Sequence, residues 1–453
     1  MKALVVDPAL AHAGGRRQRR AGADVLPLDV REVVTPTPPA PGWVLVRPAL
    51  AGICARDLDL IHADRVPDVL TAYRDGAVVV PGHEVVGVVE QASPTRWAKE
   101  GSRVLVEPTL RCAHKGLPEC RRCRAGDTHL CENADRAGAL CSGPSVGSSV
   151  EAGGGWSEGL LVHEDMLVPA EGISDQRGVL AEPAASALHA VLRWFRRGDC
   201  AVVIGAGAQS RLIVATLRRM YSDLDITVLY DARSMTRPRR GRRFRQPLHL
   251  QHDIGPDVVA IRALGASRVW RGPAEELLLR TADLTGSRLM RPKSGGTPVL
   301  DGGVDVIFDC RADPTSVDLS LRLLRAGGTL VLCGRPDRQA VEWPLVWSRE
   351  LTVTGAARYG KEPSGHRTFA VVREWLADPA FPVDGIVTHR FPLEDFDTAL
   401  ETATAGVSAG AVKVVFEGPV AAMRTRMDEA ATHVEPLEEP LLHATAARAR
   451  NGR

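Results

Sequence analysis

The rhythm of hydrophobic and polar positions changes near residue 180. Before it, short apolar runs are punctuated by Gly and Pro: ALVV from Ala3, WVLVRP from Trp43, EVVGVVE from Glu84, SRVLVEP from Ser102 and EGLLVHEDMLVP from Glu158. Runs of this length bounded by turn residues predict strands, and together they predict a compact β domain. Beyond about Leu180, apolar strands alternate with helical periodicity. AVVI at Ala201 leads into a segment whose Ile213, Leu217 and Met220 repeat at i, i+4 and i+7, followed by ITVLY at Ile226. DVIFDC at Asp305, a helical LSLRLLRAGG closing on Gly327 and Gly328, and TLVLCG at Thr329 continue the alternation. Strands apolar on both faces and separated by helices predict a doubly wound parallel sheet. After about Val341 the chain leaves that pattern through TVTG, a helix FAVVREWLAD from Phe369 and a last strand AVKVVFEG ending near Gly418, pieces expected to rejoin the first domain.

Composition narrows the classes. With 453 residues, 44% hydrophobic and 25% charged, the chain is an ordinary globular one rather than a disordered one. A net charge of +2 and 4% aromatic residues give no general field or stacking surface for nucleic acid, so no specific nucleic acid partner is expected. No run approaches the ~18 apolar residues of a membrane span, and Asp7 and Pro8 break the apolar start before a signal peptide can form. A cytoplasmic protein without a membrane partner is therefore expected. Three stretches read as additions: residues 10–24 with Arg16, Arg17, Arg19 and Arg20, the arginine-rich 232–255, and the tail 419–453. The arginine-rich insertion is read as a solvated loop in preference to a polyanion site.

Four of the nine cysteines, Cys112, Cys120, Cys123 and Cys131, fall within twenty residues. In a chain without an export signal such clustering reads as metal binding. Four thiolates suit a closed, structural zinc site, provided that the AHKGLPE loop folds back to bring in Cys112. A second set is dispersed. Cys54 in AGICARD, His83 in PGHEVVG and Glu182 in LAEPAA offer one thiolate, one imidazole and one carboxylate, with a fourth position open, which is the composition of a catalytic zinc site. Asp57 is placed to hold the other ring nitrogen of His83, and Glu84 is either an alternative ligand or a neighbour that supports the ligands.

AVVIGAGAQSRLIVATL predicts a strand, a Gly205-x-Gly207 turn and a helix whose N-terminus would receive a dinucleotide pyrophosphate. Ser210 stands at the third glycine position. Asp231 closes the next strand 26 residues after Gly205, where a carboxylate would accept from the adenosine ribose hydroxyls and repel a 2′-phosphate. That favours NAD, although Arg233 and the arginines behind it would suit the phosphate of NADP.

With these elements in order, the chain resembles the zinc-containing medium-chain dehydrogenase/reductase family, the group of alcohol, polyol, threonine and sugar dehydrogenases. The resemblance covers roughly residues 1–417 and is carried by GICARD, PGHEVVG, the Cys112–Cys131 lobe, GGGWSEG, LAEP, GAGAQS and RAGGTLVLCG. It implies a GroES-like β-barrel catalytic domain (1–185, with the zinc lobe at 112–131) split around a Rossmann domain (186–344), to which the chain returns at 345–418. It also implies that Cys54, His83 and Glu182, with Glu84 nearby, hold a catalytic zinc, that the four lobe cysteines hold a structural one, and that the protein is a homodimer or homotetramer. The implied reaction is hydride transfer between a small-molecule alcohol or carbonyl and NAD(P). A biosynthetic carbonyl reductase, or a non-catalytic nucleotide-binding relative, would share the fold. Glutamate in LAEP resembles the polyol and sugar branch.

Two departures stand out. Arg56 occupies the position of the hydroxyl that starts the family's proton relay, and a guanidinium cannot act as a base near neutral pH. Water, Glu84 or solvent then carries the proton, or Arg56 orients an anionic substrate, or activity is reduced. Leu117 stands where the first lobe ligand is usual. Trp156 in GGGWSEG either lines the cleft or packs in the core.

Overall fold

The computed structural model describes residues 1–7, 28–61, 78–149, 151–230, 255–291, 297–336, 339–362 and 365–420, with the backbone alone of 19–20 and 23–24. Asp231, Arg233, the rest of the arginine-rich insertion up to 254 and the tail from 421 onwards lie outside the described residues, as do the side chains of Arg16, Arg17, Arg19 and Arg20.

The first unit is built on a seven-stranded sheet. Its path runs from Val387–Pro392 through Lys413–Glu417, Trp43–Gly52, Val85–Ala92 and Arg103–Val106 to Leu167–Pro169, with Leu160–His163 also pairing with Trp43–Gly52. The long strand Trp43–Gly52 is buried along almost its whole length because it meets neighbours on both sides. Lys413–Glu417 pairs antiparallel with its end, Val415 opposite Gly52, so residues more than 360 positions apart share one sheet. The apolar run after Glu158 does not form one strand. A 3-10 turn at Glu164–Met166 divides it, and the His163 side chain accepts from the Asp165 N–H to hold the break.

The second unit is a six-stranded sheet in the order Arg268–Arg271, Ile226–Tyr230, Ala201–Ile204, Val304–Asp309, Leu324–Leu332, Thr352–Gly355. All its pairings are parallel. In chain order this is 3-2-1-4-5-6, with helices on both faces and two separate apolar layers. The helix predicted to run through LSLRLLRAGG is shorter: it spans Pro314–Leu323, capped by Asp313, whose side chain accepts from the N–H groups of Thr315 and Ser316. Leu324 turns extended because the buried sheet claims it, pairing with Val304. The strand order reverses between Ala201–Ile204 and Val304–Asp309, and the crevice beyond their carboxyl ends is where such sheets bind ligands.

Candidate metal and coenzyme site

Cys54 lies just before the short helix Ala55–Ile61, whose first turn carries Asp57. One Asp57 oxygen accepts from the Cys54 N–H at 2.9 Å, and the other lies 3.0 Å from His83 Nδ1. The Asp57 carboxylate therefore fixes the imidazole with Nδ1 protonated, leaving Nε2 available as a ligand. Burial alone would lower the His83 pKa, but the Asp57 carboxylate and the Cys54 thiol raise it well above the usual imidazole range. Burial likewise opposes ionisation of Asp57, yet the opposing charge and hydrogen bond of His83 hold its pKa below the usual carboxylate range. His83 stands on the turn after Gly82, which lies against the fully buried Trp156. That indole donates to the Gly52 carbonyl at 3.1 Å and packs edge-on against Phe416, so Trp156 is a core residue that backs the site and does not line a cleft.

Ligand atoms of Cys54, His83 and Glu84 lie within 4.8 Å of one another. At that distance the carboxylate in the group is Glu84, and Glu182 stands outside it. Both Glu84 oxygens, however, accept from Lys413 Nζ, at 2.7 and 2.6 Å, in a buried pair that also reaches the Ile53 carbonyl. Gly52 makes room for this pair: a Cβ there would meet a Glu84 oxygen at 1.8 Å. Held on both oxygens by one ammonium, Glu84 is a constrained ligand. Glu182, in the first turn of helix Ala181–Trp194, is half-buried with no such partner. Burial raises its pKa, opposed by the charge of His83. The buried Tyr359 hydroxyl beside it makes no hydrogen bond of good geometry with any described residue. Burial and then the Glu182 charge push the Tyr359 pKa well up, keeping it protonated. Thiolate, imidazole and carboxylate in this arrangement fit zinc.

The lobe cysteines converge. Sulfurs of Cys112, Cys120, Cys123 and Cys131 all lie within 4.8 Å of one another and none forms a disulfide. Sulfurs about 2.3 Å from a central zinc would stand about 3.8 Å apart, and Cys112 and Cys131 are 3.5 Å apart. The loop folds back as the set requires: Cys112–Lys115 is a 3-10 turn ended by Gly116 at φ +68, and the Leu117 N–H donates to the Cys112 carbonyl. Leu117, displaced from any ligand role, packs against the sulfurs. The N–H groups of Cys120, Cys123 and Glu132 and the Asn133 amide donate to cysteine sulfurs at 3.3–3.4 Å, as thiolates require. The N–H of Cys123 is the chief cause that brings the Cys120 thiol down to about 6. A third group, His114, His163 and Asp165, is also compact. Its carboxylate is taken by Arg96 and Arg111, and burial, then Arg111, lowers His114 to about 3.

At the crevice of the parallel sheet, Gly205 has φ +123, a conformation side chains rarely adopt, and a Cβ on Gly207 would meet nothing within 4 Å. The backbone at Gly207, the N-cap of helix Ala208–Met220, is thus open to a close ligand. Ser210 is buried, its hydroxyl donating to the Gly207 carbonyl at 2.8 Å, so it holds the turn by a hydrogen bond where a glycine would allow contact. Sequence reasoning passed over Arg211, which is buried beneath this turn and donates to the Ala206 carbonyl at 3.0 Å and to Asp257 at 2.8 Å. It also passed over Lys413 and Tyr359. For Lys413 alone a signal exists: a lysine at an inward position of an apolar strand, AVKVVFEG, needs a buried acid.

Residues 40–172 match the Alcohol dehydrogenase GroES-like domain, and residues 261–378 match Zinc-binding dehydrogenase. The chain is 27% identical over 387 residues to an L-threonine 3-dehydrogenase of Paraburkholderia phymatum, covering 83% of this chain and 92% of the relative. It is 26% identical over 386 residues to an erythritol/L-threitol dehydrogenase of Mycolicibacterium smegmatis, covering 83% and 91%. Among solved structures it is similar to galactitol-1-phosphate dehydrogenase from Escherichia coli, with a TM-score of 0.64, 19% identity and coverage of 92% and 100%, a likeness of fold.

Proposed function

The chain belongs to the zinc-containing medium-chain dehydrogenase/reductase family, and on that footing we propose that it is an oxidoreductase that moves hydride between a polyol, sugar or other secondary alcohol and a nicotinamide coenzyme. The observation that carries this reading is the meeting of Cys54, His83 and Glu84, with Glu182 alongside, in a unit joined to a parallel sheet with an open glycine turn. When bound, zinc supplies polarisation of the substrate oxygen, and the coenzyme accepts the hydride. The ion would be held by Cys54, His83 and Glu182, with Glu84 kept in reserve by Lys413. Asp57 orients His83, and the protonated Tyr359 hydroxyl stands beside Glu182. Arg56 cannot take the proton, and both Glu84 oxygens are occupied by Lys413, so water in the cleft is the acceptor. Cys112, Cys120, Cys123 and Cys131 would hold a second, structural zinc.

NAD is the preferred coenzyme in this reading, on the carboxylate of Asp231. The cytoplasm suits nine unpaired cysteines, and no helix among the described residues is long and apolar enough to cross a membrane. The expected homodimer or homotetramer has a natural contact at the last strand of the parallel sheet, Thr352–Gly355, beside Trp343 and Trp347, which are 62% and 84% exposed. A panel of polyols and sugars with NAD⁺ or NADP⁺, followed by absorbance of the reduced nicotinamide, tests the function. Zinc-dependent reduction of NAD⁺ supports it, and no turnover across the panel by the zinc-loaded protein contradicts it.

A further inference from the structure

Two cysteines outside both candidate zinc sets meet at the crevice of the parallel sheet. Asp309 and Leu332, the last residues of strands Val304–Asp309 and Leu324–Leu332, are in register, so Cys310 and Cys333 follow them side by side at the carboxyl ends. The backbones stay together past that pair. The N–H groups of Cys333 and Gly334 both donate to the Asp309 carbonyl at 2.9 Å, and a Cβ on Gly334 would meet the Cys310 carbonyl oxygen at 2.6 Å. Neighbouring strands lie about 4.8 Å apart, inside the ~4.4–6.8 Å between Cα atoms over which a disulfide closes. Residues in register on parallel strands also point to one face. Cys310 and Cys333 accordingly pack against the same one of the two apolar layers, the layer that holds Ile213 and Leu217 of helix Ala208–Met220. Both are half-buried and neither is in a disulfide.

The pair stands against the coenzyme turn. The Cys310 N–H donates to the Ile204 carbonyl at 2.9 Å, and the Cys310 Cβ lies 3.5 Å from where a Cβ on Gly205 would stand. Two residues beyond Cys333, Arg335 is ion-paired with Asp59 on helix Ala55–Ile61, the helix that begins immediately after Cys54. A disulfide would draw the two Cβ atoms to about 3.8 Å. Gly334 already abuts the Cys310 carbonyl and leaves no slack on that side, so the displacement passes to the Gly205 turn and along the chain to Arg335.

We infer that Cys310 and Cys333 are a modification site, oxidised by a hydroperoxide to a reversible disulfide that weakens coenzyme binding at the adjoining turn. The effect on the coenzyme rests on the dehydrogenase reading above; the pairing of the thiols does not. The Cys333 sulfur attacks the hydroperoxide: an S–O bond forms, the O–O bond breaks, and the departing oxygen takes the thiol proton to leave as water or an alcohol. The Cys310 sulfur then attacks the sulfenic acid, the S–S bond forms, the S–O bond breaks, and hydroxide leaves with the Cys310 proton as water. The sulfur pair loses two electrons and the peroxide gains them. Burial, and then the neighbouring Cys333 thiol, raise the Cys310 pKa well above the usual thiol range, which leaves the first attack to Cys333. A coenzyme seated at the turn would cover the pair and slow its oxidation.

The test treats the full-length, zinc-loaded protein with hydrogen peroxide, with and without NAD⁺ or NADP⁺. Mass mapping of the alkylated digest reads the disulfide, nicotinamide fluorescence reads binding of NADH or NADPH, and metal analysis reads zinc. A peptide linking Cys310 to Cys333 forms at unchanged zinc content, and bound coenzyme slows its formation. The Kd of the reduced coenzyme rises about tenfold or more and returns to its starting value with dithiothreitol. In Cys310→Ser and Cys333→Ser, peroxide leaves each variant's own coenzyme affinity unmoved. Absence of the linked peptide, a linked peptide with unchanged coenzyme binding, or a loss of binding that both serine variants share overturns the inference, and turnover of an alcohol by the reduced protein then leaves the dehydrogenase reading standing. A reduced protein that binds neither NADH nor NADPH overturns the dehydrogenase reading and the control of coenzyme binding with it, while a linked peptide in that protein keeps the oxidation site.

Discussion

Lys413 and Glu84 carry the largest electrostatic stake of any single pair at the site. Both are buried, and removing the ammonium would strand a carboxylate in an apolar sheet, a loss of about 3–5 kcal/mol for a buried pair. Lys413→Met is therefore expected to shift the urea midpoint sharply downward, and Lys413→Met combined with Glu84→Gln to recover much of the loss. A midpoint unchanged in the single variant would mean that the pair contributes no net stability. Cys54→Ser is expected to abolish turnover and release one of two zinc ions per chain, leaving the lobe ion in place; full activity would remove Cys54 from the ligand set. At this scale the sequence is readable where the partners are close together. Asp57 follows Cys54 by one helical turn, so a carboxylate supporting His83 is visible in GICARD and PGHEVVG. Lys413 comes from hundreds of residues away, and no local spacing points to it. Glu84 shows the same limit from the other side: only the structure reveals that its charge is already taken.

Among elements, the cysteine lobe and the glycine turn each depend on a local backbone form. The lobe has few apolar residues, and its sulfurs, with N–H groups aimed at them, form its small core. Cys120→Ala is expected to lower the melting temperature by at least about 5 °C and to lose the lobe zinc. An unchanged melting temperature would count against a tetrathiolate. At the coenzyme turn, Gly205→Ala forces a side chain into φ +123, a strain on the order of 1–3 kcal/mol. Weaker binding of the reduced coenzyme, read by nicotinamide fluorescence, should accompany it. The parallel strands are legible in sequence because burial on both faces leaves uninterrupted apolar runs. Helix ends are less so: periodicity carries LSLRLLRAGG onward, while pairing of Leu324 with Val304 in the sheet ends the helix at Leu323. The division of the segment after Glu158 into two short strands depends on a His163 cap that strand patterning does not register.

Across the whole molecule, strand Lys413–Glu417 returns to pair with Trp43–Gly52, and this closure brings Lys413 to Glu84. The site is thus a product of topology as much as of motifs. If the proposed homodimer or homotetramer forms through the outer strand Thr352–Gly355 and Trp347, Trp347→Glu is expected to shift the sedimentation coefficient toward that of a monomer; an unchanged assembly would place the contact elsewhere. Fold class and the change of texture near residue 180 are readable from hydrophobic rhythm, whereas the pairing of the chain's last described strand with an early one is a long-range event that patterning only suggests. In the proposed site Cys54, His83 and Glu182 share one ion beside the coenzyme turn. Anomalous diffraction at the zinc edge from crystals of the zinc-loaded protein with NAD tests it most directly. Two peaks per chain are predicted, one among the four lobe sulfurs and one bounded by Cys54, His83 and Glu182 facing the coenzyme. A single peak confined to the lobe, or a second peak away from Cys54, would contradict the account.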